Sequence, residues 1–481
     1  MTDVRTASVV AVSALPAYLR LAEPPLLFGT LPGDGRRGEH VHPLLGLLEY
    51  GPYGRFPTGE VIRAATVCMD GQQARLFDFL AKLHAPAQAS DRKSYVPDFI
   101  GFEKIFRVGL AGVGDRQCHL TIPADTARSA DEPHTAVTEA LLRCIHQLRA
   151  HREKWDVIVV LLPTAWEDLR TSADGAFDLR DRIKAAMAPL GIPTQFLRES
   201  SALTPRQWGS KAWRLSLALF AKAGGIPWRM KATTDLSTAY VGLHYAIRGG
   251  TTNQFVTCCS QVFDAQGGGL EFVAYNVGDR DDLRRNPHLT RDEMRTVMSR
   301  SADLYRLRHT GHSPLRLVVH KESPWRADEV DGVFDAWSAV TNIECVTLTK
   351  SRWRAVELRQ GTGGDAQPWK WPVARNTVQQ LDGTSGLLWT YGPADGMTLT
   401  GGVYNASVKG LPAPIAFRRY SGSGDMRDLA ADVLALTKLD WNNDNPFNTF
   451  PVTLGYAKNL AQVVSKVPAL DDNVYPYRLF L

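Results

Sequence analysis

The stretch WDVIVVLLP, residues 155–163, constrains the fold of this chain more than any other segment. Its centre is apolar without alternation, as in a parallel strand that is buried on both faces. A helical segment (FDLRDRIKAAMAPLG), a strand (PTQFLR) and a longer helix (PRQWGSKAWRLSLALFAKAGG) follow in that order. This alternation of strand and helix predicts a doubly wound α/β unit.

The pattern changes after Gly224 and Gly225. Three strands follow in quick succession, joined by glycine-rich turns: STAYVGLHYAI, NQFVTCCSQVFD and LEFVAYNV. They predict an antiparallel meander. A helix, a strand (LRLVVHKE), a second helix and a further strand (NIECVTLTKS) come next. A meander followed by βαβ units is typical of an RNase H-like sheet, so we place the main domain boundary near residue 226.

The first 60 residues are rich in proline and glycine and predict an extended segment that threads along a domain. Short strands and helices alternate over residues 61–150 and belong with the α/β unit. The expected organisation is therefore an extended segment with the first part of the α/β domain in residues 1–150. The core of that domain occupies residues 151–225, and the RNase H-like domain occupies residues 226–481.

The composition is that of an ordinary globular protein, with 44% apolar and 22% charged residues among 481. The sequence contains neither a membrane-spanning apolar run nor a signal-peptide pattern, so we expect a cytoplasmic protein without membrane contact. The six cysteines lack metal-site spacing and predict buried thiols. The net charge of +5 is weak support for a nucleic-acid partner.

The distribution of charge is more informative than the total. Residues 205–231 carry six basic side chains and no acidic one: Arg206, Lys211, Arg214, Lys222, Arg229 and Lys231. Such a stripe suits contacts to phosphates, and it is also what a solvated basic helix face looks like.

A smaller set of residues predicts a phosphate site. Arg180 and Lys184 stand one helical turn apart, Gln195 begins the next strand, and Lys222 lies near the end of the basic helix. These donors would converge in a crevice at the carboxyl ends of the strands, where such sheets bind ligands. The alternative is that they are surface residues of amphipathic helices.

Several segments, in order, resemble prokaryotic Argonaute proteins. LAEPPLLFG and HPLLGLLEYGPYGRF resemble the opening segment of that family, and WDVIVVLLP to LALFAKAGGIPW resembles the MID domain running into PIWI. LRLVVHKES, ALTKLDWNN and FPVTLGYAKNLAQ resemble successive PIWI segments. The match runs from about residue 15 to the C-terminus. Since about 225 residues precede the PIWI-like part, the chain resembles a short Argonaute without N and PAZ domains. The resemblance implies a Rossmann-like MID domain followed by an RNase H-like PIWI domain.

The resemblance also assigns roles to residues. Lys184, Gln195 and Lys222 would bind the 5′-phosphate of a guide strand, and Arg180 stands where the family has an aromatic residue or histidine. A structural Mg²⁺ at that phosphate would be held by Gln195 and by the terminal carboxylate of Leu481. Contacts to the guide or target backbone are expected from three further residues: Lys211, Arg418 and Arg419.

The PIWI segments depart from those of a cleaving enzyme. Cleavage requires four side chains, mostly carboxylates, around two Mg²⁺ ions. The resemblance places His244 at the first aspartate, Glu322 at the next position and Lys458 at the last. Because imidazole and ammonium groups do not replace carboxylates around Mg²⁺, we expect no cleavage activity. A competing hypothesis is a nuclease with a rearranged site, using three acidic residues: Asp235, Glu271 and Glu322.

Short Argonautes are implied to be recognition subunits of bacterial immune systems. By resemblance, this chain would bind a 5′-phosphorylated small guide RNA and pair it with single-stranded DNA. It would then activate a partner in which an APAZ domain is fused to a TIR, sirtuin-like or nuclease effector. The effector would deplete NAD or degrade DNA and cause abortive defence, with a higher oligomer as one form of the active complex. A third hypothesis is a plain nucleic-acid-binding repressor that uses no guide.

Overall fold

A computed structural model gives the fold of residues 17–481. The description leaves out residues 1–16, 32, 34, 58, 91, 205, 235–236, 248–255, 265–270, 278–287, 356, 361–365, 371, 400–409 and 467–473. It covers only the backbone of residues 247, 256–262, 271–277, 357–360, 366–370 and 474. Within the part described, no helix has both the length and the apolar character needed to cross a membrane.

The first described segment is an extended arm that contacts both halves of the molecule. It contains β1 (Leu19–Arg20), β2 (Leu26–Thr30), β3 (Arg37–His40) and α1 (Pro43–Tyr50). Leu19 pairs with Val378 at the edge of the largest sheet, and Leu26 pairs with Met230 in a separate three-stranded sheet. The arm therefore runs along the other domains, as its proline and glycine content predicts.

The first α/β unit is built on five parallel strands, with helices on both faces. The strands are β4 (Val61–Met69), β5 (Gly109–Gly112), β6 (His119–Ile122), β7 (Val157–Leu162) and β8 (Thr194–Arg198). Their order is β5-β4-β7-β8, with β6 beside the second half of β4. The helices are α2 (Gln73–Lys82), α3 (Phe102–Phe106), α4 (Pro133–Arg149), α5 (Leu179–Met187), α6 (Glu199–Ala202) and α7 (Trp208–Ala223).

The packing of β7 explains its sequence. All six of its residues are buried, alternately against the core under α4 and α5 and against the core under α2, α3 and α7. A strand covered on both faces has no solvent side, so its sequence shows no polar alternation. The prediction of a parallel, doubly covered strand is confirmed.

The second unit is dominated by a ten-stranded sheet. Its own strands are β10 (Thr238–Ile247), β11 (Val256–Phe263), β12 (Glu271–Val277), β13 (Arg316–Lys321), β14 (Asn342–Lys350), β17 (Thr377–Gln380), β18 (Ser385–Leu388), β19 (Ile415–Arg419) and β20 (Val474–Pro476). The short β9 (Arg229–Met230) pairs with β2, and β15 (Glu357–Gln360) pairs with β16 (Ala366–Lys370). The helices are α8 (Arg291–Arg308), α9 (Ala327–Ala336), α10 (Met426–Leu436) and α11 (Val452–Ser465).

The topology of this sheet is the one predicted. The order is β1-β17-β18-β19-β14-β13-β10-β11-β12-β20. Strands β10, β11 and β12 form the antiparallel meander, and β13 and β14 run parallel to β10. Helices α8 and α9 cover one face, while α10 and α11 cover the other. The carboxyl ends of β10, β13 and β14 therefore point to the same edge of the sheet, where open α/β sheets bind ligands.

One glycine fixes how closely α11 approaches the sheet. A Cβ atom on Gly242, in β10, would lie 2.0 Å from the main-chain oxygen of Thr453 in α11. Only a residue without a side chain fits there. The glycine two positions before His244 thus brings the amino end of α11 against the centre of the strand.

Candidate nucleic-acid interface

Three predicted residues meet at the amino end of β8. Lys184 lies in the last turn of α5, Gln195 is the second residue of β8, and Lys222 lies in the last turn of α7. The convergence agrees with the prediction, but the predicted location at the carboxyl ends of the strands is wrong. The helices run antiparallel to the strands they follow, so their C-terminal turns return to the amino edge of the sheet. The negative end of each helix dipole favours a cation there.

The hydrogen bonds of this cationic pocket link the two units. The ammonium of Lys184 donates to the main-chain oxygen of Phe480 at 2.7 Å and also to that of Leu481. Lys222 Nζ lies 2.5 Å from Gln195 Oε1, and Gln195 Nε2 donates to the oxygen of Phe196 at 2.9 Å. Lys184 is 1% exposed and Lys222 is 2% exposed. Residues of the first unit and the end of the chain thus form one buried polar cluster.

Burial of these lysines makes the pocket electrostatically unusual. Burial lowers the pKa of Lys184 well below its ordinary value, and the nearby charges of Arg180 and Lys222 lower it further. The pKa of Lys222 is lowered by burial and by Arg180. Arg180 is itself half-exposed, 3.7 Å from Asp181. That carboxylate is also bound by Lys466 at 3.1 Å. The pocket therefore gathers several cations whose nearest side-chain carboxylates, Asp178 and Asp181, are shared with Lys466. Such an excess of positive charge favours the binding of an anion.

The end of the chain forms one wall of the pocket. Leu479, Phe480 and Leu481 are at most 4% exposed, in and after a 3₁₀ turn at Tyr477–Leu479. The Tyr477 ring stacks on Tyr456 of α11, with centroids 5.6 Å apart. This packing holds the main-chain oxygens at Lys184 in place. Leu481 thus lies beside Lys184, while its predicted role as a metal ligand stays a prediction.

The oxygen atoms of the pocket suit a hard cation that takes its remaining ligands from a phosphate. A neutral amide oxygen has two lone pairs, and Gln195 Oε1 gives one of them to Lys222. Leu481 adds a main-chain oxygen beside Lys184. Among the described residues there is no group of three or more His, Cys, Asp or Glu side chains that could hold a metal. Most ligands of an Mg²⁺ here would have to come from the bound phosphate and water, as is usual for that ion.

The three predicted backbone-contact residues differ in their surroundings. Lys211 Nζ donates to Ser201 and Thr204, and it therefore secures the loop before α7. Its position is 11 residues from Lys222, about 16 Å along the helix axis. Arg418 is exposed beside the ring of Tyr420, with the guanidinium 5.1 Å from the ring centroid.

Arg419 belongs to a buried ionic network. Its guanidinium donates to Glu344 at 3.2 Å and to the main-chain oxygen of Gly424. Glu344 also pairs with Arg316 at 2.6 Å, and Arg316 binds Asp432. Arg419 is 11% exposed. Its described contacts hold β19 against β14, so this residue has a structural role that the sequence did not indicate.

The second site lies at the carboxyl edge of the large sheet. His244 Nδ1 lies 3.3 Å from Glu322 Oε2, because β10 and β13 are parallel neighbours and both residues directly follow the paired residues Leu243 and Lys321. The pKa of Glu322 is lowered by the hydrogen bond from His244 and by the charges of His244, Lys458 and Lys350. Lys458 is exposed on α11. The structure thus brings all three predicted positions together, and the lone carboxylate among them pairs with basic groups.

Two residues of the competing nuclease hypothesis cannot be placed. Asp235 and the side chain of Glu271 lie outside the described residues. The backbone of Glu271 pairs with Val262 and with Pro476, which puts it on β12, two strands from β10.

Sequence reasoning missed an aromatic and basic segment beside this edge. Arg352, Trp353 and Arg354 follow β14 directly, and Trp353 is 60% exposed. The letters SRWRA already interleave cations with an aromatic residue, which is a pattern that favours nucleic-acid contact. The signal was present, but only the register of β14 shows that it lies at the same edge as Glu322.

The two units together have a known fold. A Rossmann-like unit followed by an RNase H-like unit, joined at a buried cationic pocket, is the MID–PIWI architecture. Comparison with solved structures gives Argonaute proteins. The Clostridium butyricum Argonaute bound to a guide DNA and a 19-mer target DNA matches with a TM-score of 0.66 at 15% identity, over 97% of this chain and 55% of that one.

Two structures of the A. aeolicus Argonaute match over 96% of this chain. One has a TM-score of 0.59 at 16% identity and covers 55% of that protein. The other, with externally bound siRNA, has a TM-score of 0.60 at 15% identity and covers 56%. This chain therefore spans about half the length of the Argonautes it matches. No protein-family model matches the sequence, and neither does any curated protein.

Proposed function

We propose that this protein is a guide-dependent recognition subunit. It binds the 5′-phosphate of a small guide RNA in the cationic pocket and pairs the guide with single-stranded DNA. The observation that carries the proposal is the burial of Lys184 and Lys222, whose acceptors are main-chain and amide oxygens. A phosphate dianion supplies the charge that these ammonium groups lack. The Clostridium butyricum Argonaute is described as bound to a guide DNA and a target DNA, which also supports the proposal of guide-dependent binding.

The pocket selects the terminal phosphate by charge and by hydrogen bonding. Each charge-assisted hydrogen bond contributes about 1.5–3 kcal/mol, and a buried donor without its acceptor is costly. A 5′-hydroxyl end would leave both lysines with only the acceptors that they have in the free protein. Base pairing reads the target sequence, while the protein reads phosphates and duplex shape. Arg418 and Lys211 are proposed backbone contacts, whereas Arg419 acts through its ion pair with Glu344.

We propose that an Mg²⁺ shares the guide phosphate with the protein. Gln195 Oε1 and the carboxylate of Leu481 would hold the ion, and phosphate oxygens and water would complete its ligands. The ion supplies positive charge against adjacent guide phosphates. The test compares guide affinity with Mg²⁺ and with chelator, for the native protein and for Gln195→Ala. A chelator effect that Gln195→Ala reduces is the expected outcome, and no chelator effect in the native protein would contradict the metal assignment.

The His244–Glu322 site is proposed to be inactive in cleavage. Two-metal hydrolysis needs several carboxylates that surround ions about 3.5–4 Å apart. Glu322 is paired with His244 and lies in the field of Lys458 and Lys350. The basic groups occupy the electrostatic role that the metal ions have in a cleaving site, so the site would stabilise the duplex rather than cut it.

Signal output is proposed to lie on a second protein. The proposal of an APAZ-containing partner rests on the resemblance of the sequence segments to short Argonautes. Target pairing would activate the TIR, sirtuin-like or nuclease effector of that partner and cause abortive defence. A larger assembly on activation belongs to the same proposal. The coupling is allosteric, because the duplex contacts both proteins.

The deciding experiment is to express the protein with its genomic neighbour and to extract the nucleic acid that co-purifies. Short RNAs of uniform length that accept a 5′ label only after phosphatase treatment are the expected result. Heterogeneous nucleic acid, or none, would contradict guide binding and favour a plain repressor. The same preparation from Lys222→Ala, with exposed Lys104→Ala as the matched control, tests whether retention depends on the cationic pocket.

A further inference from the structure

A second cationic cavity lies at the amino ends of β4 and β7. Its volume is about 350 Å³, within the usual range of small-ligand sites. Three arginines and two acidic residues line it: Arg63, Arg152, Arg478, Glu153 and Asp156. It borders the cationic pocket along the chain, because its lining residue Ala223 follows Lys222, and Arg478 stands three residues before Leu481. The guide-binding proposal uses none of its arginines.

Only one of these arginines is matched by a carboxylate. Arg63 forms two hydrogen bonds with Asp156, from Nε to Oδ2 and from Nη2 to Oδ1, each 3.1 Å long. The main-chain nitrogen of Arg63 also donates to Asp156 Oδ2 at 2.8 Å. Arg63 therefore takes up most of the accepting capacity of Asp156.

The other two arginines retain free donors that line the cavity. Arg152 Nη1 donates to the main-chain oxygen of Trp155 at 2.6 Å, and its guanidinium stands 4.3 Å from the Trp155 ring centroid. Arg478 makes no hydrogen bond or ion pair with any residue that the structure describes. One guanidinium nitrogen of Arg478 lies 2.7 Å from the place where a Cβ on Gly224 would be, so glycine there makes room for it.

The three arginines line one cavity, so their positive charges act on each other. The pKa of Arg152 is lowered by burial and by the charges of Arg478 and Arg63, against the opposing effect of Asp156. Burial likewise lowers the pKa of Arg478. Partly buried guanidinium groups in one cavity repel each other and destabilise the folded protein, and an anion bound among them offsets this repulsion.

We infer that this arginine cavity binds a phosphate group. Guanidinium forks match phosphate oxygens in pairs, so Arg152 and Arg478 suit a phosphate better than a spherical anion. The Trp155 ring is fully buried and offers no face to a nucleobase. Recognition is therefore of phosphate and not of base. The phosphate comes either from the backbone of a bound guide or from a free diphosphate.

The test measures pyrophosphate binding to the full-length protein by calorimetry. Lys184→Ala is the starting variant, since it removes binding to the guide pocket. Adding Arg478→Gln is expected to weaken pyrophosphate at least about tenfold, the loss expected for one charge-assisted contact. Arg478→Lys should restore part of the affinity, and exposed Arg149→Gln should leave it unchanged. Absence of pyrophosphate binding, or binding that Arg478→Gln leaves intact, would overturn the assignment.

A second arm identifies the source of the phosphate. If the guide backbone occupies the cavity, saturation of the native protein with 5′-phosphorylated guide abolishes pyrophosphate binding. If a free anion is the ligand, pyrophosphate still binds to the guide complex with an affinity that depends on Arg478. Both results support the site. This inference and the guide-binding proposal can fail independently. Pyrophosphate binding to the Lys184→Ala protein is measured without any guide, so it tests the arginine cavity even if the protein binds no guide.

Discussion

The ammonium of Lys184 lies 2.7 Å from the main-chain oxygen of Phe480, 296 residues further along the chain. This contact joins the C-terminal turn of α5 to the last residues of the second unit. Neither unit alone completes the cationic pocket, because Lys222 and Gln195 come from the first unit and Leu481 comes from the second. Guide binding and the docking of the two units are therefore expected to be linked.

Removing either buried lysine should weaken the preference for a phosphorylated guide. Lys184→Ala and Lys222→Ala are each expected to reduce the affinity ratio of 5′-phosphate to 5′-hydroxyl guides about 10- to 100-fold, since each loses a charge-assisted contact. Binding titrations with both guides measure the ratio. Exposed Lys104→Ala serves as the control, and an unchanged ratio in both pocket variants would refute the pocket.

Guide binding should be accompanied by proton uptake. Burial lowers the pKa of Lys184 and Lys222 in the free protein, and a phosphate dianion beside them raises both pKa values again. The complex therefore binds more protons than the free protein wherever the pH exceeds the lowered values. Affinity should fall as the pH rises through that range.

Calorimetry in buffers of different ionisation enthalpy checks the proton uptake. The same lysines make the free folded protein bind fewer protons than the unfolded chain. Their contribution to stability therefore increases with pH below the ordinary lysine pKa of about 10.4, which is opposite in sign to their effect on guide affinity. Proton release on guide binding would contradict this account.

No guide-directed cleavage is expected in Mg²⁺ or Mn²⁺, because Glu322 is held by His244 and Lys458 supplies a positive charge nearby. A labelled complementary target should be retained intact, and His244→Ala should not change this result. Products that survive His244→Ala and disappear with Asp235→Ala would establish the rearranged nuclease instead.

The approach of α11 to β10 should depend on Gly242. Gly242→Ala places a methyl group 2.0 Å from the oxygen of Thr453 and is expected to lower the melting temperature markedly, by overpacking that costs about 1–3 kcal/mol or more. Gly455→Ala in the same helix is the matched control. A Cβ there meets no atom within 4 Å, and alanine favours the helix by about 0.5–1 kcal/mol. Equal melting temperatures for the two variants would contradict the close-packing argument.

Two elements of the fold were predictable from local sequence patterns. The unbroken apolar run of β7 predicted a strand covered on both faces, and the glycine-linked strands β10 to β12 predicted the meander. Both follow from local periodicity, which a chain displays before it folds. The spacing of Lys184, Gln195 and Lys222 left two interpretations open, a shared crevice or separate surface positions, and the structure brings the three side chains together.

The location and partners of those residues were decided only by tertiary structure. Lys184 and Lys222 lie at the amino edge of the sheet because helices return antiparallel to their strands, whereas the sequence suggested the carboxyl edge. Arg418 and Arg419 are adjacent and chemically alike, yet one faces solvent and the other pairs with Glu344. Alternation along a strand sends neighbouring side chains to opposite faces, and which face is buried depends on segments far away in the chain. The sequence by itself determined the strands, the helices and the chemistry available, and long-range packing decided which charged groups lost their solvent.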